Sequence, residues 1–77
     1  MGINEFIAKF ANIFDDTDAS TLTPETTFRN IEEWSSLSAL GLIAMADEEY
    51  DVEISGIEIR ETQTIQDLFD LISAKKG

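Results

Sequence analysis

The sequence contains 77 residues, of which 43% are hydrophobic, so it is long enough for one compact domain and too short for a second core or a roofed catalytic cleft. Sixteen acidic residues against five basic ones give a net charge of −11, which makes nucleic acid a poor partner and proteins with basic patches better ones. Cysteine and histidine are both absent, which excludes disulfides, zinc sites built from thiolate or imidazole, cysteine nucleophiles and Ser-His-Asp triads.

No stretch of the chain approaches the ~20 apolar residues that a membrane-spanning helix needs. The segment from Met1 to Phe6 lacks the basic and then apolar layout of a signal peptide. Phe6 also occupies the place where a myristoylation motif requires serine or threonine. We therefore expect a cytoplasmic monomer that does not insert into membranes. Its acidity either favours basic protein partners or only keeps a small protein in solution.

The first predicted element is an amphipathic helix from Ile3 to Phe14. Apolar side chains recur at helical spacing and form one stripe, which predicts a face buried in the core. The stripe consists of Ile3, Phe6, Ile7, Phe10 and Phe14. The opposite face consists of Glu5, Ala8, Lys9 and Asn12.

Residues 15–33 show no clear periodicity and contain the only proline, Pro24. Their aspartate, threonine and serine content favours turns with local hydrogen bonds from side chain to backbone. We expect Leu22, Phe28 and Ile31 to pin this loop to the helices. A loop of such length in a small domain is often functional.

An alternative interpretation of this loop is a calcium site, because Asp16, Asp18 and Ser20 alternate as the early EF-hand ligands do. The turn glycine of that motif is replaced by Thr21, and the bidentate glutamate by Thr27. The interpretation fails, and no metal site is expected.

Three more helices follow the loop. Ser35 is a suitable N-cap for a helix over residues 36–50, and Ser55 for a short one over residues 56–60. Thr64 is a suitable N-cap for the last helix, and Asp67 three residues later resembles a capping box. The predicted buried stripe of the last helix is Ile65, Leu68, Phe69 and Ile72, and Lys75 and Lys76 favour its C-terminus. The fold class is therefore all-α: a small bundle of three main helices plus one short helix, with a long first loop.

The second helix has two faces of different character. The face predicted to fill the core consists of Ala39, Leu42, Ile43, Ala46 and Tyr50. The opposite face begins beside Ser36 and consists of Leu37, Leu40, Gly41, Ala44, Glu48 and Asp51, with Asp47 beside it. An exposed apolar strip rimmed by charge is typical of a binding surface. Alternatively, Leu37 and Leu40 contact the long loop.

Two runs of residues at a fixed separation carry a family resemblance. The run EWSSLSAL over residues 33–40 and the run DEEYDVEI over residues 47–54 resemble the acyl carrier protein family, and the TIQDL opening of the last helix also fits. The resemblance covers the whole chain, which implies a single carrier domain over residues 1–77. It also implies that Ser36 bears a covalent 4′-phosphopantetheine arm, whose thiol carries acyl groups as thioesters.

The resemblance further implies partners and a role. The partners are a phosphopantetheinyl transferase and acyl-loading and acyl-processing enzymes with basic patches. We expect Leu37, Leu40, Ala44, Asp47, Glu48 and Asp51 to bind them. The chain is then a carrier for fatty-acid, polyketide or related synthesis, and not an enzyme. A peptidyl or aminoacyl carrier is also compatible.

The sequence departs from the family pattern at two places near Ser36. The usual aspartate before the modified serine is Ser35 here, which affects a residue associated with transferase recognition and nearby cation binding. Ser38 and Gly41 stand where many relatives have acids or larger residues, so the top of this helix is less negative than usual. Ser35 in place of the aspartate favours a rival hypothesis: an acidic protein-interaction module of the same fold without an arm.

Overall fold

A computed structural model describes residues 2–76 of the chain. Its α-helices are α1 (Ile3–Ala11), α2 (Ser36–Tyr50), α3 (Gly56–Arg60) and α4 (Ile65–Lys76), and the loop after α1 contains two single-turn 3₁₀ helices, Ala19–Thr21 and Phe28–Asn30. Within residues 2–76 the only β-type pairing is an isolated bridge between Thr27 and Thr64. The all-α prediction of three main helices, one short helix and a long first loop is confirmed. No helix in this range is long and apolar enough to cross a membrane.

The core is rich in aromatic side chains. The ring of Phe10 lies 6.2 Å from that of Phe6, 5.4 Å from that of Phe14 and 6.4 Å from that of Phe28, measured between centroids. Aliphatic side chains from α2 and α4 complete the core, with Leu42, Ile65, Leu68 and Ile72 fully buried. The predicted stripes of α1 and α4 therefore face inward, although Ile3 and Phe69 are only half-buried.

The prediction that the first helix continues to Phe14 is wrong, because α1 ends at Ala11. The amides of Ile13 and Phe14 make tighter i→i−3 hydrogen bonds, to the carbonyls of Phe10 and Ala11. The next amides, of Asp15 and Asp16, donate instead to the carboxylate of Glu33. A contact between distant parts of the sequence thus holds the chain just after it leaves the helix.

The long loop is held to the helices at several points. Phe28 is completely buried, and its ring lies 4.8 Å from that of Trp34 in an edge-on arrangement. The amide of Phe28 donates to the carbonyl of Gln63, and the amide of Ile65 donates to the carbonyl of Thr26. Leu22 is buried and Ile31 packs against the core, as predicted. These contacts therefore hold the loop beside the start of α2.

Gly41 does not lie freely on the exposed face of α2, which corrects the sequence-based prediction. A Cβ atom at Gly41 would lie 3.0 Å from Cγ2 of Ile13, so glycine allows the end of α1 to approach α2 closely. Met45, which was not assigned to the core from the sequence, is buried. The predicted core face of α2 is otherwise correct, with Ala39 and Ile43 half-buried.

The two C-terminal helices begin with the predicted caps. Ser55 and Glu58 form a capping box at the start of α3. At the start of α4, the Asp67 amide donates to the Thr64 hydroxyl, and the Thr64 amide donates to the Asp67 carboxylate. These reciprocal bonds satisfy amides that a helix leaves unpaired at its first turn. They fix the residues at which α3 and α4 begin.

Candidate functional site

The start of α2 is held by a capping box made of two serines. The Ser38 amide donates to the Ser35 hydroxyl at 3.4 Å, and the Ser35 amide donates to the Ser38 hydroxyl at 3.2 Å. The Ser38 hydroxyl also donates to the Glu33 carbonyl at 3.1 Å, and its side chain is buried, with 7% of the residue exposed. The predicted N-cap role of Ser35 is confirmed. The capping partner Ser38 was missed, although the Ser-x-x-Ser spacing is compatible with such a box.

Removing the cap is expected to destabilise the protein. Ser35→Ala should lower the free energy of unfolding by about 0.5–2 kcal/mol, because an amide in the first turn of α2 loses its acceptor. Ser35→Asp should be near neutral or slightly stabilising, since aspartate caps as well as serine and its charge suits the helix dipole. Urea denaturation measures both changes. Ser36→Ala is the matched control and should leave stability almost unchanged; an equal loss from both alanine variants would contradict the assignment of the cap.

Ser36 is the first residue of α2 and is exposed. Within residues 2–76 its hydroxyl makes no hydrogen bond, whereas the hydroxyls of Ser35 and Ser38 are engaged in the cap. Backbone amides of a first helical turn lack carbonyl partners within the helix, and the helix dipole places partial positive charge there. Of the three serines, Ser36 thus offers an accessible hydroxyl at an end of the helix that favours a negatively charged substituent.

Glu33 connects the loop to this end of α2. Its carboxylate accepts hydrogen bonds from the hydroxyl of Thr17 and from the amides of Asp15 and Asp16. The bond from Thr17, with smaller contributions from the two amides, holds the pKa of the Glu33 carboxyl below its ordinary value of 4.5. The ionised form is therefore the one that the fold stabilises.

We expect the contribution of Glu33 to depend on pH. Because its pKa is lower in the folded state, its stabilising effect is complete above about pH 5 and is lost as the pH falls through the folded-state value. Glu33→Gln should therefore lower the melting temperature near neutral pH, and its difference from the wild type should shrink as the pH falls below the ordinary carboxyl pKa of 4.5. Glu32→Gln, at an exposed neighbour without a described hydrogen bond, is the control. A difference independent of pH would contradict this role.

An open groove of about 430 Å³ lies beside Ser36, between the loop, α2 and α3. Its lining includes Trp34, Ser36, Leu40 and Ile59, with Arg29 and Arg60 among the polar contributors. The groove combines apolar residues with two arginines. It can therefore accommodate a flexible chain that has both apolar and anionic parts.

The outer face of α2, defined as Leu37, Leu40, Ala44, Asp47, Glu48 and Asp51, is exposed along its whole length. Leu37 is 77% exposed to solvent and Leu40 is 62% exposed, so neither is covered by the loop. Leu40, Ala44 and Asp47 line one shallow depression, while Leu37 lies apart beside Phe14 and Glu33. Asp51 ends the helix with φ at 55°, a left-handed conformation that aspartate tolerates better than most residues.

Comparison with known proteins gives a curated relative that matches almost the whole chain. Over 78 aligned positions the chain is 32% identical to the acyl carrier protein of Thermosynechococcus vestitus, and the alignment covers 97% of this chain and 96% of that protein. The chain belongs to the acyl carrier protein family. The family resemblance predicted from the sequence is thus confirmed. No protein-family model matches the chain.

Within this acyl carrier protein fold, the structure adds residues that sequence reasoning missed. Glu33 and Ser38 hold the start of α2, and Arg29 and Arg60 line the groove beside Ser36. Arg29 and Arg60 lie 31 positions apart in the chain, and no local spacing indicated that they share a site. Capping-box spacing could have indicated Ser38.

Proposed function

We propose that the chain is a carrier of acyl groups and that Ser36 bears a 4′-phosphopantetheine arm. The observation that carries this proposal is the accessible Ser36 hydroxyl at the capped first turn of α2, in a chain of the acyl carrier protein family. The arm supplies a thiol on which acyl groups are held as thioesters. The sequence itself contains no cysteine, so a thiol must come from an attached group.

The residues around Ser36 fit such an arm. The first-turn amides of α2 and the helix dipole favour the negative charge of a phosphodiester at this place. The adjacent groove offers Trp34, Leu40 and Ile59 to the arm's apolar parts. Within the described residues the Ser36 hydroxyl is hydrogen-bonded to no side chain that could act as its base, so we propose that the modifying transferase provides the base.

The rival function is an acidic interaction module of the same fold without an arm, and Ser35 in place of the family's aspartate favours it. The geometry weakens that argument. Ser35 caps α2 as an aspartate would, so the substitution leaves Ser36 exposed at the start of the helix. The carrier function is therefore the better supported of the two.

Incubation of the chain with coenzyme A and a broad-specificity phosphopantetheinyl transferase separates these functions. The carrier proposal expects the intact mass to increase by one phosphopantetheine group. An unchanged mass with several different transferases would favour the module without an arm. That residues 1–77 form a single carrier domain stays a prediction, and so does a cytoplasmic location.

The outer face of α2 is the proposed docking surface for the transferase and for acyl-loading and acyl-processing enzymes. Its exposed Leu37 and Leu40 offer apolar surface, and Asp47, Glu48 and Asp51 offer negative charge to basic patches. We propose that these enzymes act on the carried group and that this chain performs no catalysis itself.

Charge reversal at Glu48 is expected to slow acyl transfer to the arm-bearing chain. Exposed charge pairs contribute about 0.2–1 kcal/mol each, so Glu48→Lys should reduce the rate roughly two- to fivefold at low ionic strength and less at high salt. Glu25→Lys is the matched control, since Glu25 is exposed in the long loop and lies off the outer face of α2. Equal slowing by both substitutions would show that only the net charge matters.

A further inference from the structure

The two arginines of the chain, Arg29 and Arg60, lie on a mostly acidic surface, and both line the groove beside Ser36. The three lysines are engaged elsewhere. Lys9 pairs with Glu5 and Glu49, Lys75 pairs with Glu58, and Lys76 donates to the Tyr50 carbonyl. Among residues 2–76, Arg29 and Arg60 pair with no carboxylate. Lys76 also lacks an ion pair in this range but lies away from the groove, so Arg29 and Arg60 are the cations without ion pairs that line the groove.

Arg29 is held in place by the fold. Its Nη2 donates to the carbonyls of Ile59 at 2.9 Å and of Arg60 at 2.8 Å, which ties the long loop to the end of α3. Its guanidinium carbon also lies 4.9 Å from the centroid of the Phe28 ring. A guanidinium has five N–H donors, and these two bonds occupy only those of Nη2. The donors on Nε and Nη1 have no acceptor within the described part of the chain.

The charge near Ser36 differs from that of the rest of α2. The first turn of α2 contains no acidic residue, and its caps are the neutral Ser35 and Ser38. The acids of α2 begin at Asp47, almost three turns further along the helix. The helix dipole, the two arginines and the lack of acidic residues in the groove lining together make the rim of the groove favourable for an anion.

We propose that Arg29 and Arg60 bind the phosphodiester of the arm and so hold the arm in the groove between α2 and α3. This inference rests on the proposed function. The phosphate is bonded directly to the Ser36 oxygen, and Ser36 lines the same groove as both arginines. Guanidinium groups match the geometry of phosphate oxygens and form charge-assisted hydrogen bonds with them. The arm is thereby biased towards Ile59 and away from Leu37.

Thermal unfolding of the chain with and without its arm tests this contact. Attachment of the arm should raise the melting temperature more in the wild type than in Arg60→Gln, by about 1–8 °C at low salt, the range for a solvent-exposed charge pair in a small domain. Arg60 is the preferred position because its side chain makes no described hydrogen bond, so the substitution leaves the fold intact. Arg60→Lys should retain most of the effect. Arg29→Gln should also lose the effect of the arm on the melting temperature. Each variant is compared with its own arm-free form, so the stability that the substitution itself costs cancels.

Lys76→Gln is the control, because it removes one positive charge away from the groove. It should leave the effect of the arm unchanged. In nuclear magnetic resonance spectra, attachment should also shift the amide signals of Ile59 and Arg60, and less so in Arg60→Gln. If the arm attaches but its effect on melting is the same in the wild type and Arg60→Gln, this inference is overturned and the carrier function stands. If no arm attaches, both are overturned.

Discussion

Phe28→Ala is expected to lower the free energy of unfolding by about 3–5 kcal/mol. Phe28 is completely buried, and its ring contacts those of Phe10 and Trp34 with centroid distances of 6.4 and 4.8 Å. The substitution removes this contact area and leaves a cavity where the long loop meets the helices. A chain of this length has a total stability of about 4–12 kcal/mol, so a large part of it would be lost.

Urea denaturation followed by the fluorescence of Trp34, the single tryptophan, measures this loss. Phe28→Leu keeps most of the buried volume and should cost much less than the alanine variant. Ile57→Ala is a surface control, because Ile57 on α3 is 70% exposed, and it should change stability by less than about 0.5 kcal/mol. A loss below about 1 kcal/mol for Phe28→Ala would mean that the loop is not anchored through this ring.

Ser36→Ala is expected to abolish attachment of the arm without unfolding the protein. The Ser36 hydroxyl is the proposed attachment point, and within the described residues it makes no hydrogen bond whose loss would destabilise α2. Intact-mass measurement after treatment with coenzyme A and a transferase should show the added group on the wild type and none on the variant. Circular dichroism should show unchanged helix content.

Ser35→Ala is the matched control for this experiment. It removes a neighbouring hydroxyl that the cap uses, and it should still gain the arm as long as it remains folded. If attachment persisted in Ser36→Ala and disappeared in Ser35→Ala, the arm would be attached to Ser35 and not to Ser36. Such a result would also mean that the start of α2 is rearranged when the transferase binds.

The parts of the fold that were predicted correctly have local signals. The bounds of α2 and α3 follow from Ser35 and Ser55, whose hydroxyls accept amide hydrogen bonds three residues further along the chain. The opening of α4 follows in the same way from Thr64 and Asp67. A helix cap and a hydrophobic repeat each involve only residues that are close together in the chain, so both can be recognised from the sequence alone.

The parts that were missed depend on contacts between distant residues. The end of α1 was placed too late because the apolar spacing continues to Phe14, whereas the chain beyond Ala11 turns more tightly and is then held by Glu33 from 17 positions away. Gly41 was placed on the exposed face because the approach of Ile13 is a packing contact without a sequence pattern. For the same reason, the groove at Ser36 could not be predicted, since Arg29 and Arg60 meet there only in the folded chain.

Thiol titration tests the central claim most directly, because the chain contains no cysteine. After treatment with coenzyme A and a transferase, followed by removal of small molecules, the wild type should contain about one reactive thiol per chain and Ser36→Ala should contain none. An acyl group loaded onto that thiol should block it, and hydroxylamine should restore it by cleaving the thioester. A wild-type chain without a reactive thiol, or a Ser36→Ala chain with as many thiols as the wild type, would contradict the proposal that Ser36 carries the acyl-bearing arm.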